Sequence, residues 1–419
     1  MDISRVKDLL KGYSSLLLPI AIGLAGALLF IPGELMHSKL RKVIESGSLG
    51  KASTIRSMTS HVVPRQQHAE EQRYQELHQI DANQVALLAR QTTQRHLLTY
   101  ELFPEPKSSS VFVFDDFGPR FRGAMGDLIE HANGGGCPTK VQLEEAKAGS
   151  GSRGYFTHGY SKVGATIEDE LCRKKAESIR VYANPEDLAR YKFWQDYEYT
   201  QAESKDAALK DCWYSQLAFW IIEDVFATIE TMNTGSDNVF TSPVKRLLNV
   251  EFPATSAGST GRRATWADRN KKDSRPHYVL AVEDALTAPF TRRACNKLID
   301  VVHFKVAVVV GSERILEFMQ QLCSAKQHTF SGWDNSIAPP KTFKHNQITI
   351  LEYEVVPVNR EEAGEKLYRY GKDAVVRLNL TCEYVFDKQG YDAVKPQPIK
   401  DEIAGIVEES SSKTPRRPR

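Results

Sequence analysis

The sequence predicts an α+β chain: a single N-terminal transmembrane helix, a broken helical stalk, and a module of two αββ units on an antiparallel sheet. Three observations predict it. Residues 12 to 33, GYSSLLLPIAIGLAGALLFIPG, carry no charge. Residues 34 to about 98 are polar, rich in Gln, Glu, Arg and His, with hydrophobes at loose helical spacing. From 206 to 386 the apolar pattern runs helix, strand, strand, helix, strand, strand.

As a helix, the 22 residues of the first run would span roughly 33 Å, enough for a hydrocarbon core of about 30 Å. A cleaved signal peptide would place small residues after a shorter apolar core, whereas Phe30, Ile31, Pro32, Gly33 and Glu34 follow here. The run therefore reads as an uncleaved anchor with the lipid bilayer as its partner. Arg5, Lys7 and Lys11 precede it and Lys39, Arg41, Lys42, Lys51 and Arg56 follow, so charge alone does not orient it. The head, residues 1–11, is assigned to the cytoplasm and the bulk of the chain to the far side of an inner cell membrane, the periplasm.

The stalk, 34–104, carries Leu35, Leu40 and Ile44 and then Tyr74, Leu77, Ile80, Leu87 and Leu88, the candidate partner contacts. Gly47, Gly50 and Pro64 interrupt it, which predicts a broken helix instead of one continuous coiled coil. One thin apolar seam needs a second helix to cover it, so a homo- or hetero-oligomer is expected.

Residues 105–205 read as a small α+β region: a strand at SVFVF (110–114), a helix at 120–132 stopped by Gly134, Gly135 and Gly136, a helix from Thr166 to Ser178, and a short strand at 179–183. In the module, 206–392, Trp213, Leu217, Trp220, Ile221, Val225 and Ile229 form a broad helical face. Glu223 and Asp224 break that run too early for a second membrane span. Val244, Leu248, Val250 and Phe252 share a strand face, and a polar insertion follows at 253–297. Val302, Phe304, Val306, Val308 and Val310 share the next face; Gly311 ends that strand, and Ile315, Phe318, Met319 and Leu322 make an amphipathic helix. The apolar phase slips between Ile350 and Leu351, predicting a bulge. Residues 374–386 alternate cleanly, as an antiparallel strand wet on one face does. Two αββ units in series give a four-stranded antiparallel sheet with both helices on its apolar side, the ferredoxin-like architecture with its elements rotated. Residues 393–419, rich in Pro, Ser and charge, read as a disordered tail.

Composition narrows function. A net charge of +2 with no basic stripe gives no reason to expect nucleic acid as a partner. The six cysteines have no metal-ligand spacing and read mostly as small buried hydrophobes. GSGSRG (149–154) fits G-x-G-x-x-G, but neither a strand before it nor a helix start after it is present to cradle phosphate. Asp116, Phe117 and Gly118 spell a kinase metal triplet without the other kinase elements. His61, His68 and His78 sit in the stalk with no H-E-x-x-H spacing, and there is no G-x-S-x-G. The basic loop around Trp266 (261–276) reads as a solvated insertion. The expectation is no enzyme, with no catalytic residues, no cofactor and no metal.

DCWYSQLAFWIIEDVFATIETMN (211–233), SPVKRLL (242–248) and YRYGKDAVVRLNLTCEYVF (368–386), with the anchor and stalk, make a chain that resembles the bitopic assembly subunits of type IV pilus and type II secretion machines, the PilN/PilO and GspL/GspM-like proteins. In style it also resembles membrane-anchored proteins of Planctomycetes and Verrucomicrobia. The resemblance implies a scaffold that aligns related single-pass subunits, with energy conversion left to a partner ATPase. The middle region and the 253–297 insertion are longer than in those compact subunits. The competing class is an extracytoplasmic ligand- or cell-wall-binding module, or an enzyme, on a membrane anchor.

Overall fold

The computed structural model describes residues 14–45, 47, 50–60, 65–108, 110–151, 160–200, 204–253, 275–280 and 291–412. The chain divides into two units, Met1–Asn83 and Gln84–Arg419.

The first unit is helical. Helix α1 (Ser14–Ile44) contains the predicted span from Ser14 onward and continues through the polar residues beyond Gly33; residues 12 and 13 lie outside the described residues. Among the described residues no helix is long and apolar enough to cross a membrane. Helix α2 (Gly50–Ser60) and helix α3 (Arg65–Thr92) follow; Pro64, where the sequence predicts a break, lies outside the described residues. The end of α3, from Gln84, belongs to the second unit.

Residues expected to complete the stalk instead enter the core of the second unit. Thr93, Arg95, Leu97 and Thr99 are buried in alternation, and Leu102 and Phe103 follow them inside. Helix α4 (Phe112–His131) replaces the strand expected at 110–114. Its buried set, Phe114, Phe117, Phe121, Met125 and Ile129, steps by three and four, while Phe112 faces solvent. Packing of that face against Trp194 overrides the strand propensity of the short Val-Phe-Val-Phe run. Helices α5 (Lys140–Gly151), α6 (Tyr160–Ser178) and α7 (Tyr191–Gln195) complete the region, with two-residue strands β1 (Gly134–Gly135) and β2 (Val181–Tyr182). Residues 152–154 of the glycine motif lie outside the described residues.

Helix α8 (Lys205–Met232) opens on a Ser204 cap whose hydroxyl accepts from the Ala207 amide. Then come β3 (Val244–Glu251), β4 (Ile299–Gly311), helix α9 (Ile315–Leu322), strands β5 (Lys326–Phe330) and β6 (Lys341–His345), β7 (Ile348–Pro357), β8 (Val375–Asp387), and helices α10 (Lys388–Tyr391) and α11 (Gln397–Ser412). The expected antiparallel strands stand side by side as β3-β4-β8-β7. They form part of a larger mixed sheet of six, β1-β2-β3-β4-β8-β7, in which β1 and β2 join in parallel. The β7 register shifts between Ile350 and Glu352, at the predicted bulge. β5 and β6 form a separate antiparallel hairpin that the apolar pattern does not reveal.

Helices α8 and α9 share one core with the sheet: Leu217, Ile221 and Val225 of α8 and Phe318 of α9 join Phe304, Val306, Leu378 and Leu380. The opposite sheet face is partly covered as well, where Val309 and Val375 pack with Tyr182 and Tyr370. β4 is consequently buried on both sides near its end, which explains its continuous valine run. β8 is not uniformly wet on its polar face: Glu383 is fully buried beneath Arg293, which donates to it at 2.9 Å. Part of the 253–297 insertion also packs inside, with Tyr278 bridging Val302 and Cys295 donating its backbone N–H to the Val279 carbonyl.

Within the tail expected from 393, Gln397–Ser412 form a helix whose Ile399 and Ile403 are buried with Val394; residues 413–419 lie outside the described residues. Lys395 fixes it: the fully buried ammonium pairs with Asp300 of β4, whose carboxylate also accepts from the Tyr391 hydroxyl at 2.6 Å. Gly390 lets α10 lie against the end of α3, since a Cβ there would stand 2.0 Å from Thr93 Oγ1 and 2.2 Å from the Arg90 carbonyl oxygen.

Candidate functional site

The most elaborate polar feature of the second unit centres on Asp224, in the C-terminal half of α8. Helix α8 holds the extended segment after α3 through two side chains. Gln216 accepts from the Leu98 amide at 2.8 Å, and the Trp220 indole donates to the His96 carbonyl at 2.8 Å. That segment delivers Arg95, 1% exposed, to Asp224, 2% exposed.

The Arg95 guanidinium grips the carboxylate with both terminal nitrogens, Nη1 to Oδ2 at 3.1 Å and Nη2 to Oδ1 at 2.9 Å. Nη2 also meets Glu223, at the edge of the cluster. Asp224 Oδ2 further accepts from the Tyr384 hydroxyl at 2.7 Å and from His345 Nε2 at 2.9 Å. Tyr384 receives Arg95 Nη1 at 2.7 Å and lies 2.6 Å from Gln347 Oε1, so its single hydrogen serves two acceptors. β8 thus supplies Tyr384, and β6 with its short link to β7 supplies His345 and Gln347.

Beyond His345 lies a second imidazole. The two Nδ1 atoms of His345 and His328 are 2.9 Å apart, and His328 Nε2 is 2.9 Å from the Gln94 carbonyl. A carbonyl and an ionised carboxylate only accept, so both outer ring nitrogens donate. Between the rings one Nδ1 must also carry hydrogen. The pair therefore holds three N–H groups, one more than two neutral imidazoles provide. Burial, then Arg95 and His345, push the His328 pKa down to about 4, which disfavours the extra proton on His328.

The same neighbours set the other groups. Burial pushes the Asp224 carboxyl up, but Arg95 and His345 outweigh it and hold the acid well below the usual range. Burial alone would lower the Arg95 pKa; Asp224, Tyr384 and Glu223 raise it instead. Burial, with Asp224 alongside, pushes the Tyr384 phenol well above its ordinary value. Lys326 is lowered by burial against the opposing pull of Asp224, and it donates to the Leu322 carbonyl at 2.8 Å, at the end of α9.

A depression of about 330 Å³ opens over this cluster, edged by His96, His131, Glu223, Glu230 and His328. His96 Nε2 is 3.9 Å from Glu223. Among the described residues no three His, Cys, Asp or Glu side chains are grouped to hold a metal ion. The outer nitrogen of His328 is occupied by a backbone carbonyl, so the Asp224–His345–His328 series ends inside the protein and not on a free base. All six cysteines are free thiols. Burial raises the pKa of Cys172, Cys295, Cys323 and Cys382, with Cys295 pushed up to about 12. The arrangement suits it to lock α8, the β5–β6 hairpin and β8 together.

The residues singled out in the sequence occupy a different place. Tyr74, Leu77, Ile80, Leu87 and Leu88 all lie on α3 and are 59%, 51%, 53%, 55% and 60% exposed. At 100° per residue they fall within one half of the helix circumference. Val85, 57% exposed, belongs to the same stripe and escaped the sequence reading. His68 and His78 are exposed on α3; His61 and Trp266 lie outside the described residues. Asp116, Phe117 and Gly118 sit inside α4, where Phe117 and Gly118 pack against Trp194. No residue of the buried cluster was predicted as functional, although the acid pair Glu223–Asp224 in an otherwise apolar helix marks its position.

No protein-family model matches the chain. No curated protein matches it. Three solved structures from Akkermansia muciniphila are similar to parts of it. A core-domain crystal structure has 11% identity over 53% of this chain and 82% of its own, with a TM-score of 0.21. A second crystal structure has 10% identity over 65% and 96%, with a TM-score of 0.22. A third, of a protein without its transmembrane region, has 11% identity over 67% and 100%, with a TM-score of 0.22.

Proposed function

We propose that this chain is a non-enzymatic scaffold: an inner-membrane, single-pass subunit of a type IV pilus or type II secretion-like assembly that aligns like or related subunits through its helical stalk. One observation carries the reading. Helix α3 turns six large apolar side chains, Tyr74, Leu77, Ile80, Val85, Leu87 and Leu88, outward on one half of its circumference. Covering such a stripe with a second helix would release on the order of 10 kcal/mol before the costs of association. The exposed Ile20, Ile22, Leu24 and Leu28 of α1 support a bilayer contact for the uncharged run, with the bulk of the chain on the periplasmic side.

The test is a pair of charges in the stripe. Leu77→Glu with Ile80→Glu in the full chain should abolish co-purification of partner subunits while leaving the thermal midpoint unchanged. Intact complexes would refute the proposal.

A further inference from the structure

β7 is the last strand of its sheet: β8 pairs with one side of it, and among the described residues no strand pairs with the other. An unpaired edge offers a row of backbone donors and acceptors to an incoming strand. After the bulge, residues 352 to 355 of β7 are exposed in succession, on both faces of the strand. Tyr353 and Val355 stand in register with Leu380 and Leu378 on the helix side, yet are 64% and 40% exposed while those leucines are buried. Glu352 and Glu354 stand in register with Thr381 and Asn379 on the opposite face. There a depression of about 530 Å³ is edged by Glu251, Glu352, Glu354 and Lys305, three acids to one base.

These features select an occupant. A second copy of β7 fits poorly: antiparallel pairing centred on residue 353 or 354 overlaps most of the bare stretch and sets a glutamate directly against a glutamate. Like charges opposite one another destabilise a strand pair. The same two acids favour a strand that presents Lys or Arg on their face and an apolar residue beside Tyr353 and Val355. We propose that the free edge of β7 is a docking site for an extended segment of another protein, alternating basic and apolar residues, which adds to the sheet as a further strand. The site goes beyond the stalk pairing and does not depend on it.

The probe is a seven-residue peptide alternating lysine and valine, with two companions: the glutamate–valine peptide, and the lysine–valine peptide N-methylated at every second amide. Binding to the full chain is measured by fluorescence anisotropy in 50 mM and 300 mM salt, for the parent chain and for Glu352→Lys with Glu354→Lys. The lysine–valine peptide should bind the parent and lose at least tenfold in affinity on either backbone methylation or charge reversal. The reversed chain should prefer the glutamate–valine peptide. Equal binding of the methylated peptide would reduce the site to surface charge, and no binding to the parent would remove it; either outcome overturns the proposal. The methylation comparison uses the parent chain alone, so it stands whether or not the variant folds. Leu77→Glu with Ile80→Glu should leave all of these affinities unchanged, which separates failure here from failure of the stalk.

Discussion

Helices α3 and α8 both run 28 residues, and they treat their side chains in opposite ways. Helix α3 keeps its hydrophobes in solvent and its surroundings polar; α8 buries nearly every face, including the charged Asp224. Each arrangement leaves something to be covered. On α8 the cover is internal: Asp224 finds Arg95, Tyr384 and His345 within the same unit. On α3 the described residues supply no cover for Tyr74, Leu77 or Ile80. The contrast separates a helix that completes a fold from one that awaits a partner.

The contrast breaks most visibly at Asp224. Asp224→Asn leaves the buried Arg95 guanidinium facing a neutral amide, and breaking a buried pair in this way costs about 3–5 kcal/mol. Chemical denaturation of the full chain should show that loss; a change below about 1 kcal/mol would mean the cluster is not integral to the fold. Lys395→Met should cost somewhat less, about 3 kcal/mol, because Tyr391 still donates to Asp300. Hydrogen exchange should show α11 losing protection before the sheet does.

Acid sharpens the comparison further. His328 titrates near 4 when folded and near its ordinary value when unfolded, so the unfolded chain binds more protons between those limits. Its contribution is present above the unfolded pKa and is lost as pH falls from about 6.5 to 4, on the order of 2–3 kcal/mol. Asp224, depressed in the folded state, acts in the same direction at lower pH. The thermal midpoint should fall across that window, and His328→Gln should flatten the slope. The smallest effect belongs to α3: Leu77→Glu with Ile80→Glu should move the stability of the single chain by no more than about 0.5 kcal/mol, as surface substitutions do.

Legibility followed side-chain chemistry. Helix α8, strands β4, β7 and β8 and the bulge at Ile350 could be read because their inward residues are apolar and keep a helical or strand period; in β3 the sequence set Leu248 beside Val244 and Val250, but register shifts bring Leu247 into their core and leave Leu248 against the opposite cluster. The β5–β6 hairpin could not, because Lys326, His328 and His345 are among the residues it turns inward, and a polar inward face looks like a loop. Arg95 was hidden for a related reason: its segment continues a polar stalk, and only Asp224 on a distant helix gives it a reason to be buried. The final helix was masked by Pro, Ser and charge around Ile399 and Ile403. For the stalk, sequence and structure agree on which residues are apolar and exposed, while the partner that would cover them belongs to neither.

The most direct measurement is a photo-cross-linking scan along α3 of the full chain in its native membranes, one position at a time from residue 72 to 90. Adducts should appear at 74, 77, 80, 85, 87 and 88, stepping with the helix, and be absent at Gln75, Gln79, Ala82 and Ala86 on the opposite face. A flat profile, or one that peaks on that opposite face, would contradict a stalk paired through this stripe.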